Sequence, residues 1–334
     1  MLTQNKKILF IGKFFPVQGG IASSSIQLID DLIGLGHSVH ILTNSSAVEL
    51  GFRQLFDKDD IAELMAYFPA KPIIHNIKQN SPIHHIPYSP SYSERLFGKG
   101  LDIMREHDFD LIVSWYYQPY GLVAARLSEE FDVPFTVCNG DSDLGRLSSD
   151  VDLKNTYAWM LEKASCIFTR SGSKNLLRLL YGRSLGDRVI ELDGRRKLPE
   201  IFNADVRALN LNKFCSLARE RYAETSFFER NKNCIDRLIP DENLASDIPV
   251  IGMYGKCAAY KGSSEVITML KELVKRQVAF QFIYLASGTS EELDQLYTEF
   301  LEASELQGKV WVLPSIPFLQ IPGFIKLCDI ILMT

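Results

Sequence analysis

The sequence predicts an α/β protein made of two parallel-sheet domains. Three observations predict it. Short apolar runs such as KILFI and VIGMY are continuous rather than alternating, the pattern of strands covered on both faces. Most runs lead through a short loop into a stretch with helical apolar spacing. The rhythm stops in the polar region after Phe202 and resumes at Val250. The domains are therefore read as 1–200 and 248–334, joined by an inter-domain segment 201–247.

Lys7–Gly12 reads as a first buried strand. After Pro16 and Gly19-Gly20, the residues Ile21, Ile26, Ile29, Leu32, Ile33 and Leu35 form one helical face, Gly36 ends it, and Ser38–Thr43 is the next strand. Strand, helix and strand in that order are the unit of an open parallel sheet. A helix around Ile61–Tyr67 follows. Next come a helix Leu96–Glu106, a strand Asp110–Ser114, a helix Gly121–Glu130 and a strand Pro134–Cys138. Helix Tyr157–Lys163, strand Cys166–Thr169 and helix Ser173–Leu180 continue the pattern. The polar stretch after Phe202 has helical spacing at Phe214–Tyr222 and Cys234–Leu238. The second domain runs strand Val250–Tyr254, helix Ser264–Lys275, strand Phe280–Ala286 and helix Glu291–Ala303. Strand Val310–Leu313, a short helix Leu319–Leu327 and strand Asp329–Met333 complete it.

The 334 residues are 46% hydrophobic and 23% charged, which suits a globular protein of about two domains. A net charge of -5 argues against a nucleic-acid partner, which calls for a basic excess. The six cysteines are scattered without metal-ligand spacing, so buried thiols in a reducing compartment are expected. There is no signal-peptide pattern and no apolar run near the roughly 18 residues of a membrane span. The expected location is the cytoplasm.

Three loops carry candidate chemistry. Gly255 and Lys256 close the strand that starts at Val250, and Lys261 and Gly262 precede the next helix. Two lysines beside a helix start suit a diphosphate; the plainer reading is an ordinary turn with solvated lysines. Gly19 and Gly20 bring side-chain-free backbone to a helix start, or simply supply a positive φ. Asn139-Gly140-Asp141-Ser142-Asp143 follows a strand at its carboxyl end, where open α/β sheets bind ligands; Asn139, Asp141 and Asp143 are candidates for sugar hydroxyls, or form an Asx-rich turn. His84-His85 lacks carboxylate partners and is not read as a metal site. Between Lys163 and Lys197 the chain carries Arg170, Lys174, Arg178, Arg183, Arg188, Arg195 and Arg196 against few acids. This basic stretch is either a solvated face or a contact for anionic lipid or a phosphate-bearing acceptor.

These residues together resemble glycosyltransferase family 4. FPVQGGIASSSIQLIDDLIGLGHSVHILT resembles that family's opening. DLIVSWYYQPYGLVAARLSEEFDVPFTVCNGD resembles the segment leading to its acceptor-side loop, and TRSGSKNLL a strand-to-helix turn. Gly255-Lys256, Lys261-Gly262 and ASGTSEEL resemble the start of its donor-binding domain. The resemblance spans most of the chain outside 47–93 and 202–247. It implies a GT-B fold, two Rossmann-like parallel-sheet domains facing a cleft, and a retaining hexosyltransferase that uses a nucleotide sugar, UDP-linked, for polysaccharide or glycolipid assembly.

The resemblance also implies no cofactor and no metal. Lys256 stands where the family has Arg, and Lys261 matches its Lys; Gly19, Gly20, Gly255, Gly262 and Gly288 complete the donor-binding set. Asn139 and Asp141 lie where the family's His-Gly-x-Asp catalytic-side loop falls, with Asn in place of His. The implied partners are the donor and a saccharide or lipid-linked acceptor, with membrane contact through 163–197. The family's C-terminal pair of glutamates has no counterpart before Thr334, so the second domain is expected to be incomplete. The rival readings are a GT-B-shaped nucleotide-sugar binding subunit and a GT-B-fold epimerase.

Overall fold

The structure, a computed structural model, describes residues 5–44, 48–77, 90–140, 142–192, 199–202, 205–231, 233–241, 243–258 and 261–333. The chain opens with β1 (Lys7–Ile11), α1 (Gly20–Gly34) and β2 (Ser38–Thr43). A 3-10 turn Leu50–Phe52 and α2 (Lys58–Tyr67) follow, then β3 (Ile73–Asn76), α3 (Pro90–Glu106) and β4 (Leu111–Trp115). Next are α4 (Leu122–Phe131), β5 (Phe135–Cys138), α5 (Val151–Lys163), β6 (Cys166–Arg170), α6 (Lys174–Tyr181) and β7 (Val189–Leu192). The second half holds α7 (Leu211–Ala223), α8 (Ser226–Arg230), α9 (Ile235–Leu238), β8 (Val250–Lys256), α10 (Ser263–Lys275) and β9 (Gln281–Ser287). It ends with α11 (Ser290–Glu302), β10 (Val310–Pro314), α12 (Ile321–Leu327) and β11 (Ile330–Leu332).

The chain forms two compact units. The first contains residues 1–14, 20–48 and 65–198, with a parallel sheet in the order β3-β2-β1-β4-β5-β6-β7. The order reverses at β1, so the switch point, where open sheets take ligands, lies between the carboxyl ends of β1 and β4. Leu9, Ile11, Ile112, Val137 and Ile167 are fully buried in this core, as the continuous apolar runs require. α5 starts on Asp150, whose carboxylate accepts from the amides of Asp152 and Leu153. β3 and β7 had no sequence assignment as strands. They are short, and Ile73 and Ile190 stay about half exposed, so neither carries the unbroken apolar signal of the central strands.

The second unit contains residues 15–19, 49–64 and 199–334, with the parallel order β10-β9-β8-β11. Its switch point lies between β8 and β11. Residues 201–247, expected as an inter-domain segment, pack into this unit. Phe214 and Tyr222 of α7 and Leu238 of α9 sit in one core with Phe282, Val312 and Leu270. Tyr222 is wholly buried and donates its hydroxyl to the Val312 carbonyl at 2.9 Å, which satisfies the polar atom that burial strands. The polar composition of 201–247 belongs to the outer faces of three short helices.

The second unit also holds two pieces from the first 64 residues. Residues 16–18 pair with 52–54: Gln18 N–H donates to Phe52 at 2.9 Å and Gln54 N–H to Pro16 at 2.9 Å, around a Val17–Arg53 bridge. The Arg221 guanidinium of α7 donates to the Arg53 and Gln54 carbonyls at 2.5 and 2.7 Å. Leu55, 1% exposed, joins the core, and its amide donates to Ser315 at 2.6 Å. Lys213 pairs with Asp57 at 3.0 Å and with the buried Asp60 at 2.9 Å. No helix among the described residues is long and apolar enough to cross a membrane.

Candidate functional site

At the carboxyl edge of the second sheet, β8 ends on Lys256 and β9 on Ser287, and these two residues are in register. Lys256 therefore lies beside the loop that starts at Gly288. Gly255 has φ +138° and Gly262, which precedes α10, has φ +70°, backbone that favours glycine. At Gly288 a Cβ would sit 2.7 Å from the Cys257 Sγ and 2.9 Å from a Glu292 carboxylate oxygen. Only glycine fits there without movement of a neighbour, and its amide faces a crowded but polar corner.

The start of α11 is closed by its own side chains. Thr289 Oγ1 accepts from the Glu292 amide at 3.2 Å, and Glu292 accepts from the Thr289 amide at 2.8 Å. This is a capping box, readable in the sequence as T-x-x-E but absent from the reading above. Glu292 has a second role. Its other carboxylate oxygen is 3.9 Å from Lys256 Nζ, and that ammonium also lies 5.9 Å from the centre of the Phe52 ring. Burial, then the nearby Glu292 carboxylate, pushes the Cys257 thiol up to about 12, so this cysteine is an inert packing group.

The structure brings several predicted residues together. Gln18 bonds to Phe52, and the Phe52 ring lies by Lys256. Gly19 follows Gln18 in the same unit with φ +115°. Lys256 and Gly288 thus share one strand edge, and Gly19 follows the residue that bonds to Phe52. Lys261 and Gly262 stand at the entry to α10, where the Lys261 amide donates to Ala258 at 2.8 Å. Gly20 is the first residue of α1 and belongs to the first unit.

Asn139 and Gly140 lie in the first unit, after β5, and Asp141 lies outside the described residues. Asp143 is fully buried. Its carboxylate accepts from the Gly140 amide at 2.7 Å and the Tyr117 amide at 3.1 Å, so it ties the loop after β5 to the loop after β4. This corrects the expectation that Asp143 meets sugar hydroxyls: both oxygens are committed to backbone. Tyr116 takes φ 71°, and a Cβ at Gly140 would meet its ring at 2.5 Å, so residue 140 must be glycine. Burial, reinforced by the Asp143 charge, raises the Tyr117 hydroxyl well above its ordinary pKa, so it stays neutral. The Asn139 Oδ1 is buried with no hydrogen-bond partner among the described residues, an acceptor set at the carboxyl end of β5.

The basic stretch is only partly a free charge surface. Lys163 pairs with Glu129 at 2.7 Å, and Arg188 donates to the Glu162 and Ala164 carbonyls at 2.6 and 2.8 Å. Arg195, Arg196 and Lys197 lie outside the described residues, as do His84 and His85.

No family model and no curated protein matches this sequence. Solved structures do. The chain is similar to sucrose-phosphate synthase from Thermosynechococcus elongatus, with TM-score 0.62 and 12% identity over 98% of this chain and 75% of that one. It is similar to HepE from Anabaena in complex with UDP-glucose, with TM-score 0.59 and 14% identity over 99% and 74%. It is also similar to UDP-GlcNAc 2-epimerase from Neisseria meningitidis bound to UDP-GlcNAc, with TM-score 0.56 and 12% identity over 97% and 76%. At this identity the likeness speaks for the fold, and the two parallel sheets are those of a GT-B protein.

Proposed function

We propose that the chain belongs to a retaining hexosyltransferase that moves a sugar from a UDP-type nucleotide sugar to a saccharide or lipid-linked acceptor. The observation that carries the reading is Lys256 in register with Ser287, beside Gly288, at the carboxyl edge of a GT-B-type sheet. Departure of a nucleoside diphosphate builds negative charge on phosphate. On this reading the ammonium groups of Lys256 and Lys261 and the amides at Gly288 and Gly262 stabilise it. Charged hydrogen bonds contribute about 1.5–3 kcal/mol each. Lys261→Ala should therefore weaken UDP binding about 10- to 100-fold in a calorimetric titration. Equal affinity in the two proteins counts against the site.

On the acceptor side, Leu179 is 80% and Leu176 42% exposed on α6, away from the buried Leu177 and Tyr181. Lys174 and Arg178 share this helix, which supports contact with an anionic lipid surface through part of 163–197. Sedimentation with anionic vesicles should fall in Leu179→Glu, and an unchanged bound fraction argues against the contact. Asn139 favours a second reading, a subunit that binds nucleotide sugar without transferring it, because an amide neither takes nor gives a proton near neutral pH. Turnover of a nucleotide sugar separates the two.

A further inference from the structure

The residues that would grip a diphosphate are not bare. Residues 50–55 run across the carboxyl ends of three adjacent strands. Phe52 lies against Lys256 at the end of β8, Gly51 against Gly288 after β9, and Leu55 against Ser315 after β10. This edge is where an open parallel sheet takes its ligand.

The two ends of the strap are held by different kinds of contact. Its root is anchored by the 2.6 Å bond of Leu55 to Ser315, by the Arg221 guanidinium on two carbonyls, and by Lys213 on Asp57 and Asp60. Its tip carries one firm backbone bond, from the Gln18 amide to the Phe52 carbonyl at 2.9 Å, and a buried Phe52 ring, 2% exposed; its contacts to the sheet edge itself are weaker. The Gly288 amide donates to the Gly51 carbonyl at 3.3 Å, beyond the usual 2.7–3.2 Å range. The Lys256–Phe52 contact at 5.9 Å and the Lys256–Glu292 pair at 3.9 Å are each near the limit of their kind. The tip also fits tightly: a Cβ on Gly51 would stand 2.6 Å from the Gly288 carbonyl oxygen and 3.1 Å from Leu293.

We propose that the Leu50–Phe52 turn is a displaceable plug of the donor site, in which the Gly51 carbonyl holds the Gly288 amide in place of a phosphate oxygen. The inference rests on the donor-site reading above. A phosphate oxygen carries charge and makes a hydrogen bond roughly twice as strong as a neutral carbonyl does. It also draws Lys256 away from Glu292 and the Phe52 ring. Donor binding thus lifts the tip, while the root stays bound to α7 and to the loop after β10. The free site is closed by the protein's own backbone and opens only for an anion whose contacts outweigh the long Gly288–Gly51 bond and the seating of the Phe52 ring.

Two measurements test this. Gly51→Ala cannot seat its methyl against Gly288, so it opens the plug without altering Lys256 or Lys261. UDP affinity should rise about 3- to 10-fold, the gain expected when a competing closed state is removed. A fall in affinity would make the turn a wall of the site rather than a plug. In the unaltered protein, hydrogen exchange with and without saturating UDP should become faster at residues 50–53 and stay unchanged at Leu55. UDP binding with unchanged or slower exchange at the tip overturns the plug and leaves the donor site standing. UDP that binds neither protein overturns both.

Discussion

The carboxyl edges of the two sheets solve one problem in opposite ways. In the first unit, the loops after β4 and β5 are fixed by a buried acid that accepts from backbone: Asp143 holds the amides of Tyr117 and Gly140. In the second unit, the buried acid Asp60 sits away from the strand ends and is held by an ammonium, Lys213. It anchors the root of a strap whose tip lies against Lys256 and Gly288. The first edge is set rigidly by its own loops. The second presents lysines and glycines under a cover made from another part of the chain. An edge whose loops are tied to each other suits orientation of a ligand, and a covered cationic edge suits capture of an anion.

The comparison is broken most severely through Lys213. Lys213→Met leaves Asp60, 1% exposed, with a buried charge and no counter-ion. The second unit should lose about 3 kcal/mol, read as faster native-state hydrogen exchange in α7 and around Leu55. A loss below about 0.5 kcal/mol would mean the strap root does not depend on this ion pair.

Asp143→Ala removes the acceptor of two amides and should cost the first unit about 2–3 kcal/mol by the same readout, with the second unit unchanged. Equal loosening of both units would erase the distinction drawn between them.

A smaller, graded effect separates the units by pH. His40, 2% exposed, stacks against His75 with ring nitrogens 3.1 Å apart and meets the edge of His107. Burial, then the His107, His75 and Lys7 charges, lowers it from 6.5 to about 4. The folded state binds fewer protons than the unfolded one between these values. The stabilisation is therefore complete above about pH 6.5 and is lost as pH falls towards 4. The first unit should weaken progressively across that window, and His40→Leu should flatten the slope. A slope that survives the substitution assigns the acid sensitivity to other groups.

The strands of both cores were legible because a strand covered on both faces must be apolar throughout, as in KILFI and QFIYL. The position of Lys256 at a strand end was legible from the apolar run before it, and that of Gly288 from the family resemblance. The strap was not. Its sequence, LGFRQLFDKDD, has neither period, and what fixes it lies far along the chain: Arg221 reaches Arg53 across 168 positions. Asp143 shared the composition of its loop with Asn139 and Asp141, and only burial shows that its oxygens are already committed. Residues 201–247 looked like a linker because three short helices each bury one narrow face and expose the rest.

The most direct test of the account follows glycine amides by NMR in protein labelled with nitrogen-15 at glycine, as UDP is added. The account predicts the largest shifts at Gly288 and Gly262, with Gly51 moving as the plug lifts and Gly140 changing little. Shifts greatest at Gly140, or none at Gly288, would contradict it.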